Sequence, residues 1–324
     1  MRVLITGGAG MIGSKLAQRL AADSELAGNT VDEIKLFDVV EAGQLPSQNV
    51  PVVSESGDLR SLDRVEKLIT AKPDVIFHLA AVVSGEAEQD FDKGYGINLD
   101  GTRNLLEAIR QSGLHPRFVM ASSIAVFGAP FPEAIPDQFF CTPLTSYGTQ
   151  KAICELLVSD YSRKGILDGV SLRLPTICVR PGKPNAAASG FFSNIIREPL
   201  AGKEAVLPVS EDVLHWHASP RAAVGFMLHA AGIDLDRVGP RRAITMPGLA
   251  VTVGQQIAAL RDIAGDSVVA RIRRQPDEFI QRMVAGWPRR FETARALELG
   301  FQADSSFAEI IRFHLEDELG GKIA

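Results

Sequence analysis

Cysteine is scarce in this 324-residue chain. The three that occur, Cys141, Cys154 and Cys178, are odd in number and widely spaced, which argues against a disulfide framework and against a cysteine-based zinc site. An excess of positive charge is also missing: 34 Lys and Arg stand against 39 Asp and Glu, so no basic surface is expected for nucleic acid. No apolar run can span a bilayer, since the longest, Val75 to Val83, is short and contains His78; it reads instead as a buried parallel strand running into a loop. The strand pattern starts at Val3 with no charged and apolar leader before it, so a cytoplasmic location is expected. No further Asp, Glu or Cys stands at ligand spacing around the histidines, so no metal is expected. Internal repeats and low-complexity tracts are absent. What remains, 46% hydrophobic and 23% charged residues, is the texture of a globular enzyme large enough for one main domain and an appended lobe.

Two local patterns carry chemistry. Ser146-Tyr147-Gly148-Thr149-Gln150-Lys151 puts a phenol and an ammonium four positions apart in the first turns of a helix. Both project from one face, so Lys151 is expected to draw the Tyr147 pKa down from its ordinary value of about 10 toward that of a general base. Alone, such a pair is as readily a solvated surface pair. The opening of the chain changes the weighing: Val3-Leu4-Ile5 forms a strand, Gly7, Gly10 and Gly13 make a tight turn around Met11 and Ile12, and a helical pattern begins at Ser14. Gly7 permits the turn, Gly10 lets a pyrophosphate approach the backbone, and Gly13 allows close helix–strand packing, with phosphate at the helix N-terminus. Asp38 ends the next strand, Ile34-Lys35-Leu36-Phe37, where a carboxylate would hydrogen-bond the adenosine ribose. It would repel a 2′-phosphate, so NAD is favoured over NADP.

Alternating patterns predict strands at 3–6, 34–38, 51–53, 74–79, 117–122 and 169–174, with helices at 12–22, 62–70, 96–112 and 147–164. This is the order of an α/β fold: a Rossmann-type doubly wound parallel sheet. Beyond Pro175 the texture changes. A breaker-rich segment at 180–190 reads as a linker or a mobile loop over the site. Helices at 191–200 and 222–231, strands at 204–208 and 242–246, and a two-helix tail at 252–264 and 304–319 follow. The expected division is a dinucleotide-binding domain over 1–179 with a return segment at about 215–246, and a smaller C-terminal α+β substrate lobe from 180–214 and 247–324. Cys154 and Cys178 are expected in the core, and Cys141 beside the cleft.

The whole chain resembles the extended short-chain dehydrogenase/reductases, which include nucleotide-sugar epimerases and dehydratases. The matching pieces are Thr6 to Gly13, Asp58-Leu59, His78-Leu79-Ala80-Ala81, Asn98-Leu99-Asp100-Gly101-Thr102, Ser122 to Gly128, and Tyr147 with Lys151. The resemblance implies NAD, with Asp58 and Leu59 by the adenine and Ala80 and Ala81 along the inner ribose. Ser123, Tyr147 and Lys151 form the implied catalytic set, with Tyr147 and Lys151 also touching the cofactor. Asn98 stands with the cofactor group, although a helix cap or a bond to a backbone carbonyl fits it equally well. A homodimer packed through the helices near 98–112 and 147–164 is implied too. The chemistry suits the residue types: a tyrosinate can take the hydroxyl proton as hydride leaves the carbon, and Ser123 can orient the substrate oxygen.

Departures narrow the reaction. Dehydratases of this superfamily carry an acidic pair after the catalytic hydroxyl residue, where this chain has Ile124 and Ala125. Epimerases place a diphosphate-binding arginine where Glu211 stands. The segments 189–200 and 214–221 are similar to bacterial sugar-acid dehydrogenases of the same superfamily, which implies oxidation of the C2 hydroxyl of a small D-erythronate-like acid to the 2-oxo acid. Such a substrate calls for a cation at its carboxylate, with Arg180 and Arg221 as candidates and Ser84, Ser189 and Asn185 as hydroxyl partners. For either arginine a surface pair or a packing role is as good a reading. His215, Trp216 and His217 are candidates to line the pocket. A nucleotide-sugar epimerase and a non-catalytic NAD-sensing protein remain the alternatives.

Overall fold

The computed structural model describes residues 1–43, 45, 49–182 and 189–324. In chain order, β1 (Arg2–Thr6) turns into α1 (Met11–Asp23), and a hairpin of β2 (Glu25–Leu26) and β3 (Asn29–Thr30) precedes β4 (Glu33–Asp38) and β5 (Val52–Ser56). There follow α2 (Leu62–Thr70), β6 (Val75–His78), α3 (Ser84–Gln89), α4 (Phe91–Gly94), a π-helical turn (Tyr95–Asp100) continuous with α5 (Gly101–Ser112), and β7 (Arg117–Ser123). A short 3₁₀ turn (Ile124–Val126) leads toward α6 (Ser146–Arg163), β8 (Asp168–Leu174) and β9 (Thr176–Ile177). The remainder runs α7 (Gly190–Leu200), β10 (Ala205–Leu207), β11 (Leu214–Ala218), α8 (Pro220–Gly232), α9 (Leu235–Val238), β12 (Ala243–Thr245) and β13 (Leu249–Thr252). It closes with α10 (Val253–Ala264), α11 (Asp266–Val269), β14 (Ile272–Arg274), α12 (Glu278–Ala285), α13 (Ala294–Glu298) and α14 (Phe307–Leu319).

Seven parallel strands form the main sheet in the order β12-β8-β7-β6-β1-β4-β5. Strand order therefore reverses between β1 and β6, and a crevice at such a switch point is where these sheets take their ligands. Both faces are covered, so the inner strands are nearly continuous apolar runs. Along β1, Val3 and Ile5 join a core with Leu16 and Leu20 of α1 and Phe226 and Met227 of α8, whereas Leu4 points to the opposite core with Val65, Leu105 and Val158. Cys154 and Cys178 are core residues, at 1% and 0% exposure.

A separate core joins α7, α10 and α14 through Phe192, Ile196, Ile257, Leu260, Ile310 and Ile311. Here the structure departs from the sequence reading. The tail holds α11, α12, α13 and β14 besides the two expected helices, and β13-β11-β9 make a small sheet that no periodicity announced. Strands of two to five residues are too short to show an alternation of their own. The helix expected from 96 starts one residue earlier, at Tyr95, as a π turn, with Gly101 packed so tightly that an added Cβ would lie 3.0 Å from the Leu59 Cβ.

Candidate active site

The glycine turn is built to leave room. Gly7 has φ +75°, and a Cβ there would lie 2.6 Å from the Ala80 nitrogen; a Cβ on Gly13 would lie 2.2 Å from the Gly7 oxygen. Both glycines are therefore sterically required, which locks β1, α1 and the end of β6 together. A Cβ on Gly10 would meet only the Gly7 oxygen, at 3.2 Å, so the space above Gly10 is otherwise open. No side chain caps α1, and the free N–H groups of its first turn face that space. Asp38 braces the same turn: its carboxylate accepts from the Ala9 N–H at 3.0 Å and the Val39 N–H at 2.7 Å. Open backbone above Gly10, an uncapped helix start and a carboxylate at the end of β4 fit the pyrophosphate and ribose of NAD.

Behind the crevice, His78 ties the two switch-point strands to α5. Thr102 donates to the Asn98 carbonyl at 2.6 Å, so it accepts from His78 Nε2 at 2.8 Å, and Nδ1 accepts from the Thr6 hydroxyl at 2.7 Å. Complete burial, with Lys151 nearby, holds the imidazole neutral, its pKa pushed down to about 3. Asn98, 1% exposed, accepts from the Val82 N–H at 2.8 Å and donates to Gln150 at 2.7 Å and to the Val82 carbonyl at 3.3 Å. It thus fixes the backbone just before Ser84, which opens α3. Ala80 and Ala81, just past β6, and Met11 and Ile12, at the start of α1, are half-buried at the switch-point ends of β6 and β1. Leu59 is buried in the core, and Asp58 is held by Arg60 through bonds of 2.6 and 2.9 Å that keep its carboxyl below the usual range.

Tyr147 and Lys151 stand on α6, and Ser123 ends β7. Thr145 caps α6 by accepting from the Gly148 N–H at 3.1 Å. Gly148 has no room for a side chain: its Cβ would lie 2.1 Å from the Ala125 oxygen, so α6 starts directly against the turn that follows Ser123. That contact sets Tyr147 beside Ser123, and the sequence reading missed it, although a glycine directly after the tyrosine was its visible signal. The electrostatics also correct an expectation. Lys151, 3% exposed, turns its ammonium to the Ala121 carbonyl at 2.9 Å and sits 5.8 Å from the Tyr147 ring centre. Burial pushes the phenol up to about 12, although the Arg180 guanidinium and the Ser123 hydroxyl both act to lower it. The cation that counters desolvation is Arg180, not Lys151.

Arg180 is well mounted. Its Nε donates to the Ile177 carbonyl at 2.9 Å, its Nη2 to Ser189 at 2.6 Å, and its backbone N–H to Ser193 at 3.0 Å. Arg197, itself 8% exposed, donates to the Arg180 carbonyl at 2.7 Å while bonding Asn194 and Glu198. Arg221 is elsewhere: it pairs with Asp317 at 2.5 Å and Glu316 at 2.8 Å and lies over Phe313, so the structure does not bring it to Tyr147. Asn185 lies outside the described residues. His215 and His217 are buried near Arg180; His215 stacks on Phe192 at 5.0 Å and bonds Thr176 at 2.7 Å, and His217 meets Phe192 edge-on at 4.7 Å and bonds Gln256 at 2.9 Å. Burial keeps both neutral, pushing His215 down to about 4 and His217 well below its ordinary value. Trp216 faces a separate small core with Ile124, Phe127 and Phe291. Glu211 is ion-paired with Arg274 at 2.6 Å, so it is not the bare carboxylate the sequence suggested. Cys141 lies 3.1 Å from the Arg173 guanidinium, and burial raises its thiol pKa. Among the described residues, no group of three or more His, Cys, Asp or Glu is arranged to hold a metal.

A doubly wound sheet, an open glycine turn at its switch point and a tyrosine–lysine helix face define an NAD-dependent oxidoreductase. Residues 3–218 match the model of the NAD dependent epimerase/dehydratase family, and the chain belongs to that family. Two relatives described as D-erythronate dehydrogenase are similar over nearly full length: that of Haemophilus influenzae is 44% identical over 98% of this chain and 100% of its own, and that of Cupriavidus necator is 46% identical over 98% of each. A crystal structure described as a nucleoside-diphosphate-sugar epimerase from Agrobacterium tumefaciens is 62% identical, with a TM-score of 0.97 over 100% of this chain and 96% of its own.

Proposed function

We propose that this enzyme oxidises the C2 hydroxyl of a small sugar acid of the D-erythronate type to the 2-oxo acid. The observation that carries this reading is a buried Arg180 guanidinium, held by the Ile177 carbonyl and Ser189, near enough to the Tyr147 phenol for each to shift the other's pKa. A short 2-hydroxy acid places its carboxylate one bond from the reacting carbon, and so can meet a cation and a base together. Arg180 takes the carboxylate, Ser123 donates to the C2 oxygen, and Tyr147 accepts the hydroxyl proton. NAD, when bound, accepts the hydride and adds positive charge beside the phenol, which lowers a pKa that burial alone holds too high for a base. Lys151 keeps its ammonium against the Ala121 carbonyl, one helical turn from the base, and would be the residue to hold the nicotinamide ribose. Ile124 and Ala125 offer no acid or base for eliminating water.

The test is direct. Enzyme, NAD and D-erythronate should produce NADH absorbance, and D-erythronate deuterated at C2 should give deuterated NADH. No NADH across a panel of four- and five-carbon sugar acids would sink the reading, and label loss from another carbon would move the reacting centre. The description of the Agrobacterium structure and the Arg274 cation beside Glu211 favour a second reading, nucleotide-sugar epimerisation. It predicts inversion of a nucleotide sugar with no net NADH.

The homodimer expected from sequence belongs to the same proposal. Leu156 on α6 is 72% exposed, and a leucine that open on a helix next to the site suits a subunit contact. Leu156→Glu should shift the sedimentation coefficient to that of a monomer; an unchanged dimer places the interface elsewhere. The division into a dinucleotide domain and a substrate lobe, and a cytoplasmic location, stand as parts of this reading. Among the described residues no helix is long and apolar enough to cross a membrane.

A further inference from the structure

Tyr147, Lys151 and Glu155 follow one another at intervals of four on α6, so they share a face. The third of them is a buried acid that the reaction itself does not use: the Glu155 side chain is 4% exposed. One oxygen accepts from the Ser122 hydroxyl at 2.5 Å; the two together accept from Arg173 Nε at 3.0 and 3.1 Å and from Nη2 at 2.7 Å. Ser122 immediately precedes Ser123 on β7, and Arg173 is its registered partner on β8. The Arg173 guanidinium also covers the Phe127 ring at 4.9 Å, just past the turn that Gly148 abuts. One carboxylate thereby fastens the helix that carries Tyr147 and Lys151 to the strand that carries Ser123.

We propose that Glu155 is a positioning residue for oxidation: its clamp on Ser122 and Arg173 sets the separation of the Tyr147 phenol and the Ser123 hydroxyl. The physical case is one of leverage. A helix resting on a sheet through apolar contacts can slide by a fraction of an ångström at small cost, whereas a charged, three-way hydrogen-bonded contact is short and directional. Because reacting groups displaced by about 1 Å can lose about 100-fold in rate, a contact two turns from the phenol can govern turnover without touching substrate. A buried pair of this kind is weak support for stability, since its desolvation offsets its attraction; that makes geometry the better account of its presence.

The inference rests on the Tyr147–Ser123 reading, and its test separates the two. Glu155→Gln keeps an oxygen for one donor and loses the charge and the bidentate geometry. Oxidation by this variant should show kcat reduced about 10- to 100-fold, KM for NAD within threefold of wild type, and a larger primary deuterium isotope effect on kcat, because hydride transfer becomes limiting. Ser122→Ala removes a single bond of the clamp and covers the case in which the first variant does not fold. It should lower kcat about three- to tenfold at an unchanged melting temperature. Amide hydrogen exchange, measured on the same proteins, should accelerate at 121–126 and 146–152 alone. Wild-type kcat in either folded variant overturns the proposal, as does a loss of kcat matched by a rise in KM for NAD or by exchange spread over the whole sheet. A wild-type enzyme that turns over no sugar acid fails the functional reading instead, and the exchange pattern still decides the clamp.

Discussion

Burial pushes the Tyr147 phenol up to about 12, with Arg180 and Ser123 acting to lower it. Tyr147→Phe removes the proton acceptor and nothing else of size, so it should lower kcat by about 10²- to 10⁴-fold while isothermal titration still shows NAD binding. Full activity in that variant would leave the helix pair ornamental. Arg180→Gln has two effects of known sign. Loss of the charged partner should raise KM for the sugar acid about 10- to 100-fold. Loss of the cation that opposes burial should move the rising, acid-side limb of the kcat profile to higher pH, because the phenol that must be deprotonated to act as base has its pKa raised further. Equal profiles in the two enzymes would show that Arg180 does not feel the phenol. Ser123, Tyr147 and Lys151 were legible in the sequence because each sits in a short local pattern. Which of Arg180 and Arg221 lies near Tyr147 was not, since it depends on Asp317 and Glu316, about a hundred positions away from Arg221 in the chain.

The start of α6 is the element on which alignment of the site turns. Gly148 meets the Ala125 carbonyl with no room for a methyl group, so Gly148→Ala must lift the first turn of the helix away from β7. The expected outcome is a kcat loss of about tenfold or more with NAD affinity little changed, since the glycine turn at β1 is untouched; isothermal titration and steady-state rates check it. An unaltered kcat would mean the turn has slack that the packing does not suggest. The long elements of the parallel sheet and the helices covering it were legible from periodicity. The π turn at Tyr95–Asp100 was not, because it differs from an α-helix only in which carbonyl each N–H meets. It is nonetheless the turn that aims Asn98 at Val82 and Gln150. The small sheet of β9, β11 and β13 was hidden for another reason: its residues read as pocket lining, and their pairing is set by contacts far apart in sequence.

At the scale of the molecule, four histidines are buried in neutral form. His78 is pushed down to about 3, His215 and His314 to about 4, and His217 lower than its ordinary value by a wide margin. The unfolded chain takes up these protons near pH 6.5 while the folded chain resists. Stability is therefore full above about pH 6.5 and declines as pH falls toward 4, by about 1.4 kcal/mol per pH unit for each histidine in that window. Urea midpoints at pH 7.5, 6 and 5 should fall in that order, and a flat series would show that the imidazoles gain partners on protonation. His78 lies in the main sheet, and His215, His217 and His314 lie beside the core of α7, α10 and α14, so acid should melt the sheet and the C-terminal helices in one transition. The mounting of Arg180 has a different kind of consequence. Its carbonyl rests on Arg197, its amide on Ser193 and its guanidinium on Ile177 and Ser189, all within one stretch of chain. If Arg180 takes the substrate carboxylate as proposed, recognition of an acid is a property of a transplantable block rather than of a single position. On that proposal a homologue given the arginine alone inherits a loose charge, whereas one given the whole of residues 176–200 inherits the specificity.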